Sequence, residues 1–301
     1  MRFAIAMCCL ATTFLAGVAA APVWAQGDAK AGEYVFLATG GCACHTDRKN
    51  KGPFLAGGRS LKTPFGVIYG SNITPDRTGI EDWSEADFVR AMTEGVNEHG
   101  NEMYPVFPYT SFTRMTEEDL GNLWAYLRTV PPVQQRNKRP ELMPPFNLRV
   151  GVKAWKLLYF TPGRFRPDPA RTEAWNRGAY LVTALGHCAE CHTPRDLAGG
   201  LKRSLAYAGS TDGPEGQLAP NITPDKETGI GDWTEKDIVY YLQTGLQPDG
   251  DSAEKLMGEL IETAYQKLRE ADLQAIATYL KSLPPIRNKV VEKDEKKKDA
   301  P

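Results

Sequence analysis

Residues 186–192 read Gly186-His187-Cys188-Ala189-Glu190-Cys191-His192, and the reading of the whole chain turns on this stretch. Two thiols three residues apart, with a histidine directly after the second, form Cys-x-x-Cys-His, the pattern by which a chain binds haem covalently. Each thiol can form a thioether to one vinyl group, while the adjacent histidine ligates the iron. A zinc site is the competing use of such residues, but it needs a second ligand pair. No other Cys or His pair occurs in this half of the chain.

Working outward, residues 40–45 read Gly40-Gly41-Cys42-Ala43-Cys44-His45, one residue short of the same pattern. Residues 32–42 (GEYVFLATGGC) align with residues 178–188 (GAYLVTALGHC) without a gap. Cys42 is therefore the counterpart of Cys188, and Cys44-His45 that of Cys191-His192. The shortening displaces Cys42 by up to about one Cα step, ~3.8 Å. Three readings stay open for this site: two strained thioethers, a single thioether through Cys44, or no haem.

The alignment extends to further blocks. Asn72-Ile73-Thr74-Pro75-Asp76 with Asp82-Trp83 recurs as Asn221-Ile222-Thr223-Pro224-Asp225 with Asp232-Trp233, and Tyr126 to Pro132 recurs as Tyr279 to Pro285. Blocks in one order imply two copies of one unit. The local signals are helical: Asp28 and Thr172 can cap opening helices, and Ser84, Thr116 and Thr234 each precede an Asp by three residues, as in a capping box. Pro131-Pro132 and Pro284-Pro285 stop the last helix of each copy. The Gly- and Pro-bearing loop from Gly52 to Pro75 is long for an ordinary connection; a flat apolar cofactor at the centre of each copy accounts for it. The expected divisions are a signal peptide 1–25, a first unit 26–132, a linker 133–171, a second unit 172–286 and a solvated, disordered charged tail 287–301.

The signal peptide rests on Arg2, the apolar stretch that follows and the small-x-small site ending at Ala25. Cys8 and Cys9 leave with it, so an exported protein keeps Cys42, Cys44, Cys188 and Cys191. Disulfides between such near neighbours would close only tiny loops and add little stability. With 36 Lys and Arg against 37 Asp and Glu, there is no basic excess to bind nucleic acid. The Pro-rich, basic linker carries Trp155 to Phe160, expected as a short helix packed against both units.

Met257 is the only methionine after the linker. It lies where a segment could fold over the open face of the second haem. A thioether opposite histidine raises the potential and suits an electron carrier.

With both motifs placed, the chain resembles the two-haem cytochromes c related to the cytochrome subunits of membrane-associated alcohol, gluconate and sugar dehydrogenases. The resemblance implies an all-α fold of two tandem class I cytochrome c domains, two haem c groups, and a periplasmic location. It also implies electron transfer from a dehydrogenase partner towards a quinone or terminal oxidase. Cys188, Cys191, His192 and Met257 carry over as ligands of the second haem. Where many relatives have Pro-x-Met-Pro-Tyr, this chain has Pro105-Val106-Phe107-Pro108-Tyr109, and phenylalanine cannot bind iron. Met103 is the nearest replacement and His99 the next. An open first iron would suit a different function, a two-haem oxidoreductase of the peroxidase or thiosulfate-oxidising kind, although no paired carboxylates or Arg-His cluster marks that loop.

Overall fold

A computed structural model of the chain describes residues 27–291. The expected signal peptide lies outside them, as do residues 292–301 of the expected tail. Ten helices carry most of the regular structure: α1 (Ala29–Ala38), α2 (Glu85–Glu94), α3 (Tyr109–Phe112), α4 (Glu117–Leu127), α5 (Val150–Tyr159), α6 (Glu173–Tyr180), α7 (Ala189–His192), α8 (Glu235–Thr244), α9 (Lys255–Thr263) and α10 (Glu270–Lys281). Their boundaries follow local chemistry. Asp28 accepts from the Lys30 amide at the start of α1, and Thr172 from the Trp175 amide at the start of α6. Ser84–Asp87 and Thr234–Asp237 close full capping boxes on α2 and α8, which both end on a left-handed glycine, Gly95 and Gly245.

The repeated residues are the ones that hold the helices together. Helix α1 crosses α4 at Gly32, where a Cβ would lie 1.8 Å from the Asn122 carbonyl oxygen and 2.8 Å from Tyr126 Cβ. Helix α6 crosses α10 at Gly178, where a Cβ would lie 1.9 Å from the Ala275 oxygen and 2.9 Å from Tyr279 Cβ. Backbones this close admit only glycine. The Asn-Ile-Thr-Pro-Asp blocks serve as pegs: Asn72 Nδ2 donates to the Val133 carbonyl, and Asn221 Nδ2 to that of Ile286. In return the Val133 and Ile286 amides donate to Thr74 and Thr223, both fully buried. Each chain segment after a Pro-Pro pair is thereby pinned beneath the loop.

One pair of contacts joins the halves reciprocally. Tyr34 on α1 donates to Asp272 and accepts the Arg269 amide, so it caps α10 of the other half. Its counterpart Tyr180 on α6 donates to Asp119 and accepts the Thr116 amide, capping α4. Each opening helix thus satisfies an orphan donor at the start of the opposite half's last helix. Buried side chains from both halves form one continuous core.

Three expectations need correction. The third Ser/Thr-x-x-Asp signal makes only half a box: Thr116 accepts from the Asp119 amide, but the Asp119 carboxylate is taken by Tyr180. The fold is mostly helical, but not helical throughout. Ser60–Thr63 (β1) and Gly66–Tyr69 (β2) form a hairpin inside the long loop, and Glu141–Leu142 (β3) of the linker adds to it, in antiparallel order β1-β2-β3. A tight Thr63-Pro64-Phe65-Gly66 turn between short alternating runs was the available signal. Gln135 and Asn137 remain bonded to the first peg, and Asn288 to Thr228 and Ala208 at the second. Asn288 therefore belongs to the folded part rather than to the tail.

Helix α5 packs against residues of both halves of the chain. On one face of α5, Trp155 Nε1 donates to the Ala198 carbonyl and Tyr159 to Asp196, while Lys156 reaches the Glu94 and Gly95 carbonyls and pairs with Glu102.

Candidate haem-attachment sites

At the second site, α6 continues into a single π-turn, Leu181–Leu185, before Cys188 opens α7. The His192 amide donates to the Cys188 carbonyl at 3.0 Å, an i to i−4 bond. Residues three apart share a face of such a turn, so Cys188 and Cys191 are presented together. His192 Nδ1 donates to the Pro220 carbonyl at 2.7 Å. That bond places the ring proton on Nδ1 and leaves Nε2 with its lone pair, the arrangement a metal-binding imidazole requires. Burial lowers the His192 pKa, which favours the neutral ring. Both thiols are free, and burial pushes them up to about 12. Two protonated thiols and a neutral, oriented imidazole on one turn fit covalent haem attachment.

At the first site the same ends are joined by a shorter path. Helix α1 stops in a Schellman motif, with the Gly41 amide on the Phe36 carbonyl and the Gly40 amide on that of Leu37. Gly40, Gly41 and Cys42 are all left-handed, at φ 76°, 63° and 48°. A 3₁₀ turn, Ala43–His45, follows, and the His45 amide donates to the Cys42 carbonyl at 2.8 Å as an i to i−3 bond. The missing residue is therefore absorbed by exchanging an α-turn for a 3₁₀ turn. Histidine orientation survives intact: His45 Nδ1 donates to the Ser71 carbonyl at 2.7 Å, and burial keeps the ring neutral. Beyond it, Gly57 donates to the His45 carbonyl as Gly209 does to that of His192. What changes is Cys42, which stands two residues from Cys44 and so on a different face. Its sulfur lies 3.8 Å from Thr39 Oγ1, with its pKa pushed by burial to about 12. The donor set of Cys44 and His45 fits a haem; the pair Cys42–Cys44 does not present both thiols as the second site does.

The regions expected to supply the sixth ligands also correspond. The Met103 amide donates to the Gly95 carbonyl, as the Ala253 amide does to that of Gly245. Met103 thus occupies the register of Ala253, and four residues on, Phe107 falls level with Met257. Met257 lies on α9 rather than in an open loop, half-buried and packed against the core. Phe107 is also half-buried against the core, with its ring 5.7 Å from Phe112. His99 is exposed and faces Glu98.

Both candidate turns are tied to the opposite half, the second directly and the first through Arg59. Glu190, inside the second motif, accepts from Thr110 and Ser111 of α3. Arg59 donates to the Ala43 carbonyl of the first turn while paired with Glu215 and Glu259 of the second half. The Cys191 thiol is close enough to Cys44 to be raised further by it. Apart from the Arg59–Ala43 bond, 16 positions apart, these partners lie 79 to 200 positions apart and are not evident in the sequence.

The cytochrome c family model matches residues 176–284. The chain is 40% identical over 256 residues to the fructose dehydrogenase cytochrome subunit of Gluconobacter japonicus, covering 84% of this chain and 52% of that protein. It is 38% identical over 264 residues to the gluconate 2-dehydrogenase cytochrome c subunit of Pantoea cypripedii, covering 84% and 59%. The chain thus spans somewhat more than half the length of these subunits. Against a diheme cytochrome c-type protein of Cereibacter sphaeroides the identity is 40% over 265 residues, covering 86% of this chain and 87% of the relative. The chain belongs to the c-type cytochromes, in the group that includes the cytochrome subunits of fructose, alcohol and gluconate dehydrogenases.

Proposed function

We propose that this chain is a periplasmic two-haem electron carrier, built of two tandem cytochrome c units, that passes electrons from a dehydrogenase towards a quinone or terminal oxidase. The observation that carries the reading is the duplicated attachment turn, in which His45 and His192 each give their Nδ1 proton to a backbone carbonyl at 2.7 Å. Haem, when bound, supplies one-electron chemistry at the iron. The protein residues hold and orient it. Cys188 and Cys191 anchor the second group, His192 presents Nε2, and Met257 is the proposed sixth ligand. Cys44 and His45 hold the first group, with Cys42 displaced and Met103 the proposed sixth ligand.

Denaturing mass spectrometry of the exported protein tests the cofactor count. Two haem increments, with Cys42 still open to alkylation, are expected; a single increment overturns the first site. Met257→Ala should leave the second haem attached and lower its potential by a substantial share of the ~0.8 V that axial ligands span. An unchanged potential removes Met257 from the site. The second reading, an oxidoreductase with an open first iron, is favoured by Phe107 standing level with Met257. Rapid binding of cyanide or carbon monoxide by the first haem supports it, whereas a Met103-ligated iron resists both.

A further inference from the structure

Helix α5 has two apolar faces. One is spent on the protein, through buried Val152 and the half-buried Trp155 and Tyr159. Val150, Leu157 and Leu158 lie on the other and are 73%, 88% and 76% exposed. In an α-helix these positions, with Ala154 between them, fall on one stripe. Leu197, 98% exposed, is carried by the short loop that Trp155 grips at Ala198. The hairpin joins the same surface, because Phe65 stacks on the exposed Phe146 at 4.4 Å and lies against Gly199. Three distant stretches of sequence therefore present apolar side chains at one place, held by hydrogen bonds on their inner side.

Charge is segregated to the same region. Residues 133–171 contain nine of the chain's 36 Lys and Arg but two of its 37 Asp and Glu. Lys153 lies on the flank of the stripe; Arg149 precedes the helix with its guanidinium on the Glu102 carbonyl, and after its end come Arg164, which donates to the Thr113 carbonyl, and exposed Arg166. Ten residues span only about 15 Å, and no helix among the described residues is long and apolar enough to cross a membrane. Side chains this exposed project as knobs rather than lining a groove, and Lys153 flanks them in a stretch with a basic excess. That combination suits a helix lying in the interfacial layer of a bilayer.

We propose that the outer face of α5, with Leu197, is a docking surface for the headgroup layer of an anionic lipid bilayer. The leucines enter the acyl boundary, and Lys153 and Arg166 meet lipid phosphates. The test is flotation of the haem-loaded protein with vesicles of equimolar phosphatidylglycerol and phosphatidylcholine, and with phosphatidylcholine alone. The wild type should float with the anionic vesicles, lose binding as salt is raised, and bind the neutral ones weakly. Leu157→Glu with Leu158→Glu should lower partition by about a hundredfold, each buried leucine contributing about a factor of ten, with the haem absorption spectrum unchanged. Lys153→Glu with Arg166→Glu should weaken binding to the anionic vesicles alone. The proposal fails if the wild type stays unbound, if both vesicle types bind equally, or if the leucine variant floats like the wild type. It also fails if that variant ignores no vesicle yet loses binding to a purified dehydrogenase subunit, which would make the face a protein interface. The outcome is independent of the number of haems, which mass spectrometry reads separately.

Discussion

The two attachment turns have the same ends and different middles. Each begins after a helix packed through a glycine, and each closes with a histidine oriented by a backbone carbonyl and an amide bonded to the first cysteine. Between those ends the second half uses four residues in an α-turn and the first uses three in a 3₁₀ turn. A motif shorter by one residue can thus keep the geometry of its Cys-His end, provided that the flanking backbone takes up the change. Gly40 and Gly41 make this possible, since consecutive left-handed residues are tolerable in glycine and strained elsewhere. In this turn the cost falls on Cys42, at φ 48°, whereas at the second turn the left-handed non-glycine is His187, at φ 40°.

The comparison breaks most completely if the turns are removed one at a time. Cys191→Ala with His192→Ala should abolish the second haem, and Cys44→Ala with His45→Ala the first, leaving one increment by mass spectrometry in each case. Cys42→Ala should leave two. Loss of the first haem from that variant would show that Cys42 is an anchor after all.

The glycine crossings should behave alike in the two halves. Gly178→Ala and Gly32→Ala each drive a methyl group into a carbonyl oxygen less than 2 Å away, and each should cost about 3 kcal/mol or more. Chemical denaturation gives the difference; clearly unequal losses would argue against equivalent packing.

Asp272 separates the halves at the level of charge. It is buried, and although burial by itself would raise its pKa, hydrogen bonds from Arg177, Tyr34 and Arg269 hold the carboxyl well below the usual range. Its contribution is complete above the unfolded-state value near ~4 and is lost as pH falls through the folded value. Asp272→Asn should therefore cost about 3 kcal/mol at neutral pH, with the gap from the wild type narrowing only below about pH 4.

The crossed tyrosines give the smallest and finest contrast. Among the described residues, Asp119 receives a side-chain hydrogen bond from Tyr180 alone, whereas Asp272 keeps two arginines. Tyr180→Phe should cost about 2 kcal/mol and Tyr34→Phe nearer 1 kcal/mol. Equal losses would mean that the arginines do not share the load.

Much of this was legible in the residues. Spacing identified the complete motif, and the ungapped repeat showed what the shortened one had lost. Asp28, Ser84, Thr172 and Thr234 start helices in the structure as their side chains imply, because a cap acts on amides two or three residues away. The blocks around Asn72 and Asn221 were visible as repeats, but not as pegs, since their acceptors lie some sixty residues later. The hairpin was missed because its strands are four residues long and inside a loop read as irregular.

By itself the sequence determined the elements that depend on neighbours along the chain: the thiol and histidine spacing, the caps, the stops and the duplication. Tertiary structure alone decided that Tyr34 and Tyr180 cap each other's halves, that the Asp119 carboxylate leaves its own helix, and that an α-turn gives way to a 3₁₀ turn at Cys42. It also decided which apolar face of α5 is buried and which stays outside. The physical reason is range. A hydrogen bond to a residue three positions away is set by local backbone geometry, whereas one to a residue 235 positions away exists only after the helices have packed.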